Sequence, residues 1–389
     1  MNFGLSDAER AWREEVRGFI DEITAADMAV FAEEMRTLEV ERHAPSFYRR
    51  LAERRWIGLG WPEPYGRPGS ETERFVVHEE MDCAGLPMYG PDIAEAIGWM
   101  LARHGPPELA DVHLPRILDG TWTYAGAYSE PEAGSDLLAL RTQAVLDGDT
   151  YRVRGSKLWT SSAHLADWIF AIVRTDPGSD RQRGLSMLLV DAKAPGVEIR
   201  PVHVMGGWRV NAVFFDDVPV PASNVVGAPN DGWRVLAEAL NVERALSYGG
   251  REGRLLVARL LRRVTGRADA LGEARLEELG RFVMELEVER LLNLRVAAMA
   301  ERGAPPSAEA SMSKIVGSEL AQRLAQWAAD LLAPETVFRA GAGEEPSDAL
   351  TASVEEMLRV ATVYTIIGGT SEVQRNVVAQ RGLGLPRAD

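Results

Sequence analysis

Ser129-Glu-Pro-Glu-Ala-Gly-Ser-Asp136, followed downstream by Lys157-Leu-Trp-Thr-Ser-Ser162, is the part of the chain whose reading decides the rest. The first segment is a turn-rich loop carrying small hydroxyl side chains, and the second sets an indole beside further hydroxyls. A Trp ring covers the face of a flat ligand, while Ser and Thr hydroxyls satisfy ring nitrogens and oxygens. Gly134 lets a phosphate approach the backbone closely. The combination suits a planar, heteroatom-edged ligand that carries the chemistry while the protein orients it. Taken singly, each segment also reads as an ordinary surface turn or a strand with a buried Trp.

The 389 residues suffice for about two or three domains with ample core. Hydrophobic residues make up 46% and charged residues 26%, ordinary proportions for a water-soluble fold. The net charge of -15 argues against nucleic acid and against an anionic membrane surface as partners. A single cysteine, Cys83, excludes an intrachain disulfide and fits a reducing, cytoplasmic setting. The first residues carry no signal-peptide pattern, and no run reaches the roughly 18 apolar residues of a membrane span. The only lysines are Lys157, Lys193 and Lys314, a bias read here as codon usage with no function attached. No metal site is assigned.

Residues 6–120 read mainly as helix. Ser6 or Asp7 caps a segment with Trp12, Val16, Phe19 and Ile20 on one face. A second helix over 47–56 stops at Gly58-Leu-Gly60-Trp-Pro62, and helical patterns resume over 71–83 and 92–104. From about 121 to 226 the chain turns to short runs rich in Val, Ile, Thr and aromatics. Asp147-Gly-Asp149 separates strands at 142–146 and 150–154 as a hairpin, and 168–173, 185–190 and 213–215 are further strands. After 231 the pattern is helical again, over 232–246, 253–264, 276–301, 308–332 and 349–365, amphipathic stretches that suit a four-helix bundle. The expected class is α+β, with domains at 1–120, 121–230 and 231–389.

The motifs, in this order, resemble the acyl-CoA dehydrogenase family, flavoproteins that bind FAD. The likeness continues through Gly207-Trp-Arg-Val-Asn211 and Val213-Phe-Phe-Asp-Asp-Val-Pro-Val-Pro221, and ends in Ile366-Ile-Gly-Gly-Thr-Ser-Glu-Val-Gln-Arg375. It implies a helical N-terminal domain, a middle β-barrel or sandwich and a C-terminal four-helix bundle. It also implies removal of two hydrogens from neighbouring carbons of an acyl thioester: a carboxylate takes the α-proton and flavin N5 takes the β-hydrogen as hydride. An α C–H is a very weak acid, so the thioester carbonyl must be polarised by preorganised donors and the base must be desolvated and close.

In many family members the base immediately precedes the Gly-Thr of the C-terminal motif. Here that residue is Gly368, which has no side chain. Another subgroup carries the Glu early in the C-terminal domain, just before an Arg, and the resemblance places Glu243, followed by Arg244, at that position. Ala239 and Leu240 share its helical face, so the carboxylate is expected to point inward, where burial raises its basicity. A Glu-Arg pair on a helix is otherwise a solvated face. Gly368 keeps the N–H that, with a ribityl hydroxyl of FAD, binds the thioester carbonyl. By the same likeness Tyr128 and Ser129 lie along the flavin pyrimidine edge, and Gly134 and Ser135 approach the phosphates, Ser135 also touching the coenzyme A arm. Trp159 packs on the isoalloxazine, Ser161 reaches N5 with Thr160 between them, and Thr370 and Glu372 meet the cofactor. Asn241, Arg244 and Gly369 border the substrate. For Thr370 and Glu372 the alternative is a helix N-cap.

The acyl pocket is expected along 89–101, with Ile93, Ala96, Ile97, Trp99 and Met100. The Gln-Gly-Gly pattern that binds the adenosine end of FAD in many members is missing from 331–343. Homodimer, homotetramer and a mixed complex with a related chain therefore stay open. The acyl group rides on coenzyme A or on an acyl carrier protein, and an electron-transfer flavoprotein is the implied acceptor. The rival readings are a flavin oxidase or monooxygenase on the same fold, and a non-catalytic partner of an active chain.

Overall fold

The computed structural model describes residues 4–40, 42–179, 181–246, 250–264, 271–304, 306–333, 336 and 349–386. Of 241–246, 250, 251, 264 and 349 it describes the backbone alone. The chain divides into two compact units: residues 1–22, 71–86 and 243–389, and residues 23–70 and 87–242. Among the described residues no helix is long and apolar enough to cross a membrane.

In the first unit, α1 (Asp7–Asp21) opens with a capping box in which Ser6 and Glu9 satisfy each other's backbone amides, and it buries Trp12, Val16 and Phe19. It packs on α4 (Glu71–Cys83). Helices α8 (Gly250–Val264), α9 (Glu273–Glu301), α10 (Ser307–Leu331) and α11 (Ala349–Tyr364) form the expected four-helix arrangement, with α10 touching the other three. The reason lies in α10's composition: Ala310, Ser311, Gly317, Ala321, Ala325 and Ala328 are buried along it. Side chains this small let neighbouring helices come close from several sides. A short helix, α12 (Ser371–Val377), follows a tight loop and also rests on α10.

In the second unit, α2 (Ala25–Leu38), α3 (Pro45–Glu53), α5 (Tyr89–His104) and α6 (Pro107–Leu118) accompany the sheet. The strands are β1 (Tyr124–Ala127), β2 (Gln143–Asp147), β3 (Thr150–Ser161), β4 (Trp168–Arg174), β5 (Leu185–Asp191), β6 (Val197–His203), β7 (Arg209–Pro221) and β8 (Val225–Val226). They run in the order β6-β7-β3-β2-β4-β5-β8, with β1 beside β4. The β2–β4 join is a single residue pair, Gln143 with Arg174, so the sheet opens there into two halves. Val153, Val213, Phe215 and Val218 from one half and Ile169, Ala171, Leu188 and Val190 from the other bury into one core, which makes the sheet sandwich-like. Helix α7 (Gly232–Leu246) starts in this unit and crosses the division after Val242.

Candidate functional site

Strand β3 carries the second motif, and its pairing with β7 slips inside that motif. Lys157 faces Val213 and Thr160 faces Asn211, so β3 spends one residue more than β7 over this step. That is a β-bulge, a device that re-aims a side chain. Trp159 sits in it with φ 66°, the left-handed region that a bulky L-residue adopts only when its surroundings impose it. The result is an indole held on a rigid strand yet 56% exposed. Thr160 turns the other way: it is buried, and its carbonyl accepts from Asn211 Nδ2 at 2.9 Å. Asn211 Nδ2 also lies 3.3 Å from His164 Nδ1, while His164 Nε2 donates to the carbonyl of Leu38 at 2.8 Å. Burial lowers the His164 pKa, so the ring is the neutral tautomer this pattern needs. Ser161 is half-buried at the strand end.

The first motif is tied to this bulge. Leu158 N donates to the carbonyl of Ser129 at 2.9 Å. Lys157 Nζ donates to Glu130 Oε1 at 2.9 Å and to the carbonyl of Tyr128 at 3.0 Å. The Glu130 carboxylate also accepts from the amides of Arg141 (2.6 Å) and Thr142 (2.9 Å). Both charged side chains are buried. Burial pushes the Lys157 ammonium down to about 8. For Glu130 burial acts the other way, but the Lys157 charge and the donated hydrogen bonds prevail and hold its carboxyl below the usual range. Tyr128 and Ser129 are half-buried, and Gly134 and Ser135 exposed. A Cβ at Gly134 would meet nothing within 4 Å. An exposed indole, half-buried hydroxyls at Ser129 and Ser161, and an open glycine backbone form a surface that fits a flavin ring and its phosphates.

Glu130 and Lys157 lie inside the quoted motifs, but the sequence reading gave them no part. The available signal was the scarcity of lysine among 43 basic residues. Of the three lysines, Lys157 and Lys314 are both fully buried.

The same unit holds a small, partly open pocket lined by His43, Tyr48, Tyr89, Ile93, Trp122 and Ser162, among others. It joins the start of the expected acyl segment to the residue after Ser161. Of that segment, Ile97 and Met100 are core residues, whereas Ile93, Ala96 and Trp99 are half-buried.

In the other unit, Gly368 and Gly369 take φ 64° and 92°, which glycine alone adopts freely. Gln374 Nε2 donates to both their carbonyls, at 2.9 and 3.2 Å. Thr370 is the N-cap of α12, its hydroxyl accepting from Val373 N at 3.2 Å. Glu372 is exposed in the first helical turn, and hydrogen bonds from its own amide and the Thr370 hydroxyl hold its carboxyl low. Asn241, Glu243 and Arg244 belong to α7, with side chains outside the described residues. Residues 337–343 are likewise outside them. Tyr128, Ser129, Gly134, Ser135 and Trp159–Ser161 thus come together in one unit; Gly368, Gly369, Thr370 and Glu372 come together in the other.

Family models described as acyl-CoA dehydrogenase N-terminal, middle and C-terminal domains match residues 6–121, 125–218 and 230–383. Acyl-CoA dehydrogenase IpdE1 of Mycobacterium tuberculosis (strain ATCC 25618 / H37Rv) is 35% identical over 98% of this chain and 99% of its own length. Acyl-CoA dehydrogenase FadE29 of the same organism is 34% identical over 100% and 99%. Among solved structures, the Tcur3481-Tcur3483 steroid ACAD matches with a TM-score of 0.86 at 31% identity, covering 100% of both chains. The ChsE4-ChsE5 complex from Mycobacterium tuberculosis matches with a TM-score of 0.83 at 31% identity, again over 100% of both.

Proposed function

From the premise that this chain belongs to the acyl-CoA dehydrogenase family, FAD-dependent oxidoreductases, we propose that it α,β-dehydrogenates an acyl-CoA thioester with Glu243 as the base. The observation that carries the reading is the displayed Trp159 ring, fixed by a bulge and tied to the Ser129 loop. Bound FAD supplies the two-electron acceptor that takes the β-hydrogen as hydride.

The protein's own part is to acidify and remove the α-proton. The amide N–H of Gly368 donates to the thioester carbonyl and stabilises the enolate-like charge that develops on its oxygen. Gln374, by holding the Gly368 and Gly369 carbonyls, fixes the orientation of those peptides. Glu243 takes the proton from the α-carbon. An empty side chain at Gly368 leaves room for a carboxylate brought by another helix. Tyr128 and Ser129 meet the flavin edge, Gly134 and Ser135 the phosphates, and Trp159, Thr160 and Ser161 the isoalloxazine side, with Thr370 and Glu372 joining from α12. Asn241, Arg244 and Gly369 border the substrate. Three domains, at 1–120, 121–230 and 231–389, carry these parts.

The neighbour named a steroid ACAD supports a bulky, ring-bearing acyl group. A neighbour named as a complex supports assembly with a related chain, beside a homodimer or homotetramer. An electron-transfer flavoprotein is the proposed acceptor and the cytoplasm the proposed location. The test is anaerobic mixing of the purified, FAD-loaded chain with straight, branched and steroid-bearing acyl-CoAs. Loss of flavin absorbance with one class identifies the substrate. Loss with none sinks the dehydrogenase reading, and substrate-dependent oxygen uptake would instead favour an oxidase.

A further inference from the structure

We propose that the buried Glu130–Lys157 ion pair is the positioning element of the flavin cradle, holding the Ser129 loop against the Trp159 bulge before the cofactor arrives. The inference rests on the flavin reading of that surface and adds to it two residues that touch neither ring nor phosphate.

Four contacts converge on the pair. Lys157 stands immediately before the bulge and holds the entry of the loop through the Tyr128 carbonyl (3.0 Å). Glu130 holds the exit through the amides of Arg141 (2.6 Å) and Thr142 (2.9 Å). Their mutual bond, at 2.9 Å, closes the two ends onto β3. Next to it, Leu158 N ties the bulge itself to Ser129. Tyr128, Ser129 and Trp159 therefore all stand within one or two residues of this pair.

Stability alone does not account for the choice of residues. A buried ion pair loses hydration on both charges, and a well-packed apolar pair is often as stable or more so. What the charges add is direction. A carboxylate accepts several amides at once, and an ammonium donates to three acceptors from one point, which a flat guanidinium cannot do in the same space. In a chain that otherwise uses Arg, a Lys at this buried position is the residue that the geometry needs. A loop fixed in advance spares the cofactor the cost of ordering it.

The test compares the full chain with Lys157→Met, Glu130→Gln and the double variant. FAD dissociation constants are read from free-flavin fluorescence, and thermal midpoints from far-UV circular dichroism on the same samples. Removing one partner strands a buried charge or donor, so each folded single variant loses roughly tenfold or more in FAD affinity. The double variant regains thermal midpoint over the singles but not affinity, which separates positioning from bulk stability. Any folded variant that holds FAD within about twofold of the parent overturns the inference. Hydrogen exchange on the parent chain stripped of FAD needs no variant. The amides of Arg141, Thr142 and Leu158 are protected if the cradle is preformed, and exchange at unfolded-chain rates overturns the inference. A parent chain that binds no FAD sinks the flavin reading and the inference with it.

Discussion

Asn211 Nδ2 donates to the carbonyl of Thr160 at 2.9 Å, at the point where β3 and β7 lose register. Asn211 is fully buried, and Arg209 Nε donates to its Oδ1 at 3.2 Å, so the amide is held at both ends. This bond fixes the inward turn of Thr160 that leaves Trp159 facing out. Without it the bulge loses the partner that defines its geometry.

Asn211→Ala therefore removes a buried hydrogen bond to the Thr160 carbonyl and is expected to cost about 1–3 kcal/mol. Urea unfolding measures that cost. The sharper consequence is at Trp159: its fluorescence quenching on FAD addition is expected to weaken as well. A stability loss with unchanged quenching would place Asn211 outside the cradle.

Gln374 does for the Gly368 loop what Asn211 does for the bulge. Gln374→Leu keeps the volume but removes the donors to two carbonyls. If those bonds orient the Gly368 amide, kcat/KM falls by about tenfold, the equivalent of ~1.4 kcal/mol in the transition state. Steady-state kinetics at saturating FAD gives the ratio.

His43 predicts a pH dependence of stability. Burial lowers its pKa from 6.5 to about 4, with nearby Glu34 opposing, and the ring packs against Gly90, where a Cβ would collide with it. The folded protein keeps this imidazole neutral down to about pH 4, whereas the unfolded chain takes the proton near 6.5. Its contribution is therefore fully present above pH 6.5 and is lost as pH falls toward 4. The size is about 3 kcal/mol. His43→Leu is expected to flatten that part of the stability–pH curve relative to the parent, as measured by urea unfolding from pH 7 to 4.

The layout was legible because helical and strand periods change sharply near 121 and 231, and because the hairpin at Asp147-Gly-Asp149 and the helix over 232–246 follow local rules. Strand β6 was not, because Pro201 interrupts it. The structure tolerates Pro201 because β6 lies at the sheet edge, where the missing N–H faces no further strand. Helix α6 was hidden in the same way by Pro115. The bulge at Trp159 depends on register against β7 and leaves no mark in the spacing of β3 alone. Glu130, in an acidic turn, reads as solvated; its burial depends on Lys157, 27 residues later. Such pairings are set by tertiary structure, and only the residues, not their meeting, stand in the sequence.

The central claim is tested most directly by Glu243→Gln loaded with FAD and mixed anaerobically, in a stopped-flow instrument, with an acyl-CoA that reduces the parent enzyme. The predicted result is unchanged FAD content with flavin reduction slowed by roughly 10²–10⁴-fold, the usual worth of a general base. Reduction at close to the parent rate would contradict Glu243 as the base.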